Sequence, residues 1–486
     1  MNEEPKGEFR KERDLLGVRE IPADAYWGVQ TLRAKENFGV SLVMLERYTT
    51  LIQALAMVKK ACTKANRELG HLKEEYADAI CQACDEIIDE QLHDQFIVDM
   101  LQGGAGTSSN MNANEVIASR ANEILGHSKN TQYPIHANDH VNMSQSTNDV
   151  YPTAIKIATI YGMRDLSNAL EKLIIALDAK SEEFSDTLKL GRTEMQDAVP
   201  ITLGQEFGAW SGALKRDLLR IGMAMDVLMT HNIGATAIGT SLNADPEYIE
   251  LAEKHLREVT GLDKMTTAEN LIDDTQNSDE FVHASALLRV LAVNLAKISG
   301  DLILLSSGPI GGFHEIVLPA VQPGSSIMPG KVNPVIPEMI SQVAFQVVGH
   351  DSTITMAAQE GQLELNAYEP VIAYNFFQAL KILKNSIPIF ADKCIRGIQP
   401  NEEGLRVVER SVGLATALNP VLGYEKASEI AQEALRTGKT VKEIVLEWDL
   451  IEEDRLDKLL SPQRMTRPTD IPNYEPERMG GTKKIE

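Results

Sequence analysis

The sequence predicts a mainly α-helical protein of several domains, organised round a long helical bundle. Three observations lead there: helical periodicity runs through most of the 486 residues, strand signals are few, and one long segment is apolar on every side. Ile155, Ala158, Gly162, Leu166, Ala169, Leu173, Ala176 and Leu177 recur mostly at three- and four-residue steps. That spacing puts them on one face, so Thr153–Asp186 reads as a single helix about 50 Å long. Leu203–Thr230 carries Phe207, Trp210, Leu214, Leu218, Ile221 and Met225 on one side. Ser278–Ser306, with Ala284, Leu287, Leu288, Leu291, Leu295 and Ile298, lacks a polar face. A helix apolar all round must be covered all round, and these helices exceed the usual globular length. A bundle whose central helices are also covered by other subunits meets both demands. Val18–Ile21 is a candidate strand.

The length implies more than one core. Residues 1–145 read as mixed helix and loop, 146–398 hold the long helices, and 399–486 hold shorter ones such as Ala427–Thr437 and Val441–Leu446. The end of the last region is a polar tail with Pro468, Pro472, Pro476, Gly480 and Gly481, of a composition that disfavours order.

Bulk properties exclude several partners. The formal net charge of −23 disfavours nucleic acid and anionic membranes, and obliges any anion site to be assembled locally from cations, hydroxyls and amide N–H groups. No run of about 18 apolar residues exists to span a membrane, and Met1–Lys11 lacks the apolar stretch of a signal peptide, so a cytoplasmic location is expected. Four cysteines in a chain this long are not a disulfide framework. Cys81 and Cys84 form C-x-x-C, but within Tyr76–Glu90, which reads as helix, so plain packing is expected.

Four stretches break the amphipathic pattern with dense small polar residues. In Gly103–Glu115, Thr107 and Ser108 precede an expected helix; hydroxyls and free N–H groups there suit a carboxylate, though a capped turn has the same composition. In His136–Asp149, Ser144, Ser146, Thr147 and Asn148 immediately precede the long helix, while His136 and His140 have an i,i+4 metal spacing that Pro134 and Asn138-Asp139 turn into a loop instead. Gly191–Pro200 mixes both charge signs and hydroxyls between two long helices, and its pattern alone favours a solvated connection. The fourth, Gly324-Ser-Ser-Ile-Met-Pro-Gly-Lys-Val-Asn-Pro334, excludes regular structure and gathers Ser325, Ser326, Lys331 and Asn333 into an anion cluster. Its glycine spacing is not that of a P-loop.

The fourth stretch resembles the signature loop of the fumarase/aspartase superfamily, and the resemblance extends from Glu12-Arg-Asp-Leu-Leu-Gly17 to Leu418-Asn-Pro-Val-Leu-Gly423. Gly103-Gly-Ala-Gly-Thr-Ser, Gly234-Ala-Thr-Ala-Ile-Gly, Asn333-Pro-Val-Ile-Pro-Glu338 and Asn366-Ala-Tyr-Glu-Pro370 are closer to the aspartase form than to class II fumarases. The resemblance implies a three-domain, mainly helical subunit, a homotetramer with a twenty-helix core, and active sites each shared by three subunits. It implies a small-molecule substrate, L-aspartate or fumarate, and no cofactor. The implied reaction is reversible loss of ammonia from aspartate through an enediolate; a fumarase, or a lyase of another fumarate–amine adduct, is the alternative. Ser325 would be the base. Thr107, Ser146, Thr147 and Ser326 would hold the β-carboxylate, Lys331 and Asn333 the α-carboxylate, and Asn148 and Thr193 the amino group. Glu194 departs from the relatives' Gln or His; its carboxylate would either accept hydrogen bonds from the substrate ammonium or turn away to pair with Arg192 or another subunit.

Overall fold

The structure is a computed structural model that describes residues 8–468. Most of the polar tail, with Pro472, Pro476, Gly480 and Gly481, lies outside the described residues, as does the start of Met1–Lys11.

The long helices are present, with shifted ends. Leu203–Val227 and Asp279–Leu305 end close to expectation. The longest, Thr147–Glu183, begins six residues earlier than its apolar periodicity indicates and contains Pro152. Proline lacks the N–H that would bond the carbonyl four residues back. That carbonyl, on Asn148, instead accepts from Asn232 Nδ2 at 2.9 Å. A side chain from elsewhere therefore allows the polar run to join the helix. Val335–Gln359 and Glu369–Lys393 complete the set of long helices.

Two compact units make up the chain. The first comprises Met1–Asn168, Asp217–Val293 and Val343–Asn385. In it Thr49–Glu68 packs against Glu74–Ile88 and Tyr248–Thr260, burying Leu51, Ile52, Leu55 and Val58. The strand expected at Val18–Ile21 is one arm of a hairpin, Phe9–Asp14 with Gly17–Pro22. Cys81 and Cys84 lie in the helix Glu74–Ile88, and every cysteine is free.

The second unit comprises Ala169–Arg216, Asn294–Gln342 and Ser386–Glu486. Tyr424–Thr437, Val441–Glu447 and Glu453–Leu459 close round Leu418, Ile430, Ile444 and Leu456. The stretch Gly191–Pro200 is not a plain connection: Leu188–Thr193 and Gln196–Thr202 form an antiparallel hairpin. Its tip, Glu194-Met195, lacks the Asn-Gly signal that marks such turns in a sequence. Among the described residues, no helix is long and apolar enough to cross a membrane.

Candidate functional site

The start of the long helix is held by its own polar residues. Ser146 Oγ accepts from Asn148 N at 3.2 Å, and Asp149 Oδ1 accepts from Ser146 N at 3.0 Å. The other oxygen of Asp149 accepts from Thr236 N and Gly234 N at 3.0 and 3.3 Å, tying the helix to the Gly234–Gly239 turn. Asp149 is fully buried, and desolvation pushes its carboxyl up to about 7 against those N–H donors and Lys59. Asn148 donates its amide to Ala237 O at 2.7 Å, which leaves its carbonyl oxygen available as an acceptor.

Behind this start lies a buried amide network. Lys59, 0% exposed, donates to Asn142 Oδ1 and Gln145 Oε1, both at 2.9 Å. Asn142 Oδ1 also accepts from Asn110 and Asn114 at 3.2 and 3.0 Å, and Asn110 donates to Thr147 Oγ1 at 3.0 Å. Burial pushes the Lys59 ammonium down to about 7. Sequence reasoning passed over Lys59, Asn110, Asn142 and Asp149 as functional residues. The available signal was the density of Asn in a helix, Asn110, Asn112 and Asn114, where surface solvation and a buried network look alike.

Thr107 is the first residue of the helix Thr107–Ile124, not the residue before it. The cap is Gly106, in the left-handed region at φ 87°, where a Cβ would collide with the Tyr151 ring. Thr107 is exposed, and its hydroxyl donates to Gly104 O at 2.7 Å. That bond must break, or the hydroxyl rotate, before Thr107 donates to a ligand.

The second unit carries the other candidates. Gly324–Pro334 is closed on itself by Gly324 N to Lys331 O at 2.7 Å and by Asn333 Nδ2 to Gly324 O at 2.7 Å. The loop passes so close to itself that a Cβ at Gly324 would overlap the Lys331 carbonyl. Inside it Ser325 Oγ accepts from Ile327 N at 3.2 Å and Met328 N at 2.9 Å. Two backbone donors aimed at one serine oxygen stabilise negative charge there. Ser325 is part-buried; Ser326 and Lys331 are exposed. One of the two Asn333 side-chain N–H groups serves the loop, which leaves the second N–H and the carbonyl oxygen for a ligand.

Thr193 and Glu194 are exposed at the hairpin tip, where Glu194 and Met195 have φ 53° and 63°. Among the described residues, Glu194 has no hydrogen-bond or ion-pair partner for its side chain. Arg192, its candidate partner, bonds Glu315 at 2.7 Å instead and lies over the Phe313 ring. Lys189 also pairs with the buried Glu315, at 3.3 Å. The hairpin base is thus pinned by buried charge, and its tip is left open.

Thr107, Ser146, Thr147 and Asn148 belong to the first unit, and Thr193, Glu194, Ser325, Ser326, Lys331 and Asn333 to the second. His136 and His140 form no shared ligand pair. His136 caps the short π-helical turn Ala137–Val141 and His140 lies within it, with His136 Nδ1 accepting from Asn138 N and Asp139 N and His140 Nδ1 from His136 N.

The family profile described as Lyase matches residues 17–349, and that described as Fumarase C C-terminus matches 414–467. An aspartate ammonia-lyase of Bacillus subtilis (strain 168) is 51% identical, over 95% of this chain and 97% of that protein. The chain belongs to the fumarase/aspartase superfamily. It is a lyase of the aspartase branch of that superfamily: an aspartate ammonia-lyase of Escherichia coli (strain K12) is 48% identical, over 95% of this chain and 96% of its own. Solved superfamily structures agree. A fumarate lyase:delta crystallin from Brucella melitensis, bound to cobalt, has TM-score 0.92 at 51% identity, covering 95% of this chain and 100% of that one. A class II fumarase from Schistosoma mansoni has TM-score 0.88 at 35% identity, with the same coverage.

Proposed function

We propose that this superfamily member is a carbon–nitrogen lyase that removes ammonia from L-aspartate, reversibly, to give fumarate. The observation that carries the reading is Ser325, whose oxygen accepts two backbone N–H bonds inside the self-closed loop. A serine hydroxyl is a poor base unless its alkoxide is stabilised, and this arrangement stabilises it. The half-identity to aspartate ammonia-lyases across nearly the whole chain supports the choice of substrate.

In the proposed reaction Ser325 takes the C3 proton, and the C–H electrons pass into the β-carboxylate as a doubly negative enediolate. Thr107, Ser146, Thr147 and Ser326 hold that charge, which makes their donor hydrogens the main demand on the site. Lys331 and Asn333 hold the α-carboxylate. Collapse of the enediolate forms the C2–C3 double bond, breaks C2–N and releases ammonia; Ser325 then returns its proton to solvent. The open carbonyl oxygen of Asn148, the Thr193 hydroxyl and the unpaired Glu194 carboxylate suit an ammonium, a group that donates only.

The reading includes three domains and a homotetramer whose sites draw on three subunits. In the first unit Leu219, Met223 and Val227 form a one-face stripe 71%, 56% and 37% exposed, and Phe345 is 67% exposed. Apolar stripes on long helices are what a helical subunit core would cover.

Ser325→Ala tests the mechanism. Fumarate formation from L-aspartate is expected to disappear while the assembly and melting temperature persist; substantial residual turnover removes Ser325 as base. L-malate in the same assay separates an ammonia-lyase from a hydratase.

A further inference from the structure

We propose that Lys59 is a positioning residue that makes Thr147 an obligate hydrogen-bond donor to the substrate carboxylate. The inference rests on the placement of Thr147 at that carboxylate in the proposed function. It deepens that reading by assigning a role to a lysine that touches no substrate.

Partners of fixed polarity pin the direction of each hydrogen bond in the network. Gln145 Nε2 lies 3.1 Å from two backbone carbonyls, Val141 O and Met143 O, which only accept, so Gln145 must point its Oε1 at Lys59. Asn142 Nδ2 likewise faces the Gln145 carbonyl at 3.1 Å, so its Oδ1 points at the Lys59 amine. A lysine nitrogen donates there whether or not it carries a proton beyond its two amine hydrogens. With Asn142 Oδ1 fixed as an acceptor, the Asn110 group facing it at 3.2 Å must be Nδ2. The same Nδ2 faces Thr147 Oγ1 at 3.0 Å, so the threonine oxygen accepts. Its own hydrogen is therefore turned away from Asn110, free for a ligand.

A second observation shows how strongly the direction is held. Asn110 Oδ1 and Asn114 Oδ1 are buried without a hydrogen-bond partner among the described residues. Flipping either amide would seek to satisfy its oxygen, but would set that oxygen against Asn142 Oδ1. The network tolerates two orphan acceptors to keep its NH2 groups on Asn142. Lys59, on Asn142 Oδ1, and the Gln145 backbone carbonyl, on Asn142 Nδ2, together hold the sense of the whole chain from Asn142 to Asn110 to Thr147. A carboxylate that gains charge during reaction needs donors only, and a threonine left to itself can present either sense.

The test is a double-mutant cycle on the full-length assembled protein, read as the dissociation constant of succinate by calorimetry. Succinate is a saturated C4 dicarboxylate, so binding is measured without turnover. Thr147→Val and Lys59→Met are each expected to weaken binding about 10- to 100-fold, the range for one bond to a charged group. The double variant is expected to bind no more weakly than Thr147→Val alone, because without the hydroxyl there is nothing left to orient. Losses that multiply, or unchanged binding in Lys59→Met, overturn the proposal. Unchanged binding in Thr147→Val refutes the placement of Thr147 itself, which is a separate failure of the functional reading. If Lys59→Met does not fold, Asn110→Leu takes its place in the same cycle with the same two outcomes.

Discussion

Glu194 offers a perturbation in which stability and activity should move in opposite directions. It sits with Met195 at a two-residue hairpin tip, both at positive φ, between the paired residues Thr193 and Gln196. Such a tip favours Asn-Gly, whereas a left-handed conformation costs an ordinary L-residue about 1–2 kcal/mol. Glu194 is exposed and its side chain has no hydrogen-bond or ion-pair partner among the described residues, so its replacement breaks neither. Glu194→Asn keeps the volume small, relieves part of the strain and removes the charge. The folded state should gain about 0.5–1 kcal/mol, raising the melting temperature by about 1–3 °C. If the carboxylate accepts from the substrate ammonium, kcat/KM for L-aspartate should fall about 10- to 100-fold, the value of one charge-assisted bond. Turnover followed by fumarate absorbance and a thermal melt on the same sample give both numbers. A more stable variant with unchanged aspartate turnover would show that the strained carboxylate serves no substrate. A less stable variant would refute the strain argument itself.

Two further predictions use other parts of the molecule. Gly106→Ala should cost about 2–5 kcal/mol, combining the left-handed backbone with a Cβ driven into Tyr151. Gly126→Ala, also at positive φ but with open space around it, is the control; equal losses in melting temperature would discount the Tyr151 contact. His231 is buried and accepts from Ile233 N through Nδ1, and burial pushes its pKa from 6.5 down to about 3. The unfolded chain therefore binds a proton that the folded chain refuses. Stability present above about 6.5 is lost as pH falls toward about 3, by at most about 1.4 kcal/mol per pH unit. His231→Asn should shift acid unfolding to lower pH; an unmoved midpoint counts against His231.

Much of the architecture was legible because periodicity is a local property. Leu203–Val227 and Asp279–Leu305 follow from the spacing of their apolar residues, and the loop Gly324–Pro334 from its prolines and glycines. The hairpin at Leu188–Thr202 was not legible, since Glu194-Met195 occupies a turn that composition assigns to other residues. Nor was the first turn of the long helix, whose Pro152 is accommodated by Asn232, distant in sequence.

The chemistry divides in the same way. The sequence alone determined which residue types are available: Ser325 and Ser326 beside Lys331, the hydroxyls before the long helix, and a departure at Glu194. It could not determine what each group is free to do, because hydrogen-bond capacity depends on neighbours brought together by folding. Only the tertiary structure decided that Ser325 receives two backbone N–H groups, that one Asn333 N–H goes to Gly324 and leaves the other for a ligand, and that Arg192 pairs with Glu315 and leaves Glu194 open. Lys59, whose side chain ends among Asn142 and Gln145, is the clearest case. Its helix is an ordinary amphipathic one in the sequence, and the meaning of its charge comes wholly from the acceptors packed around it.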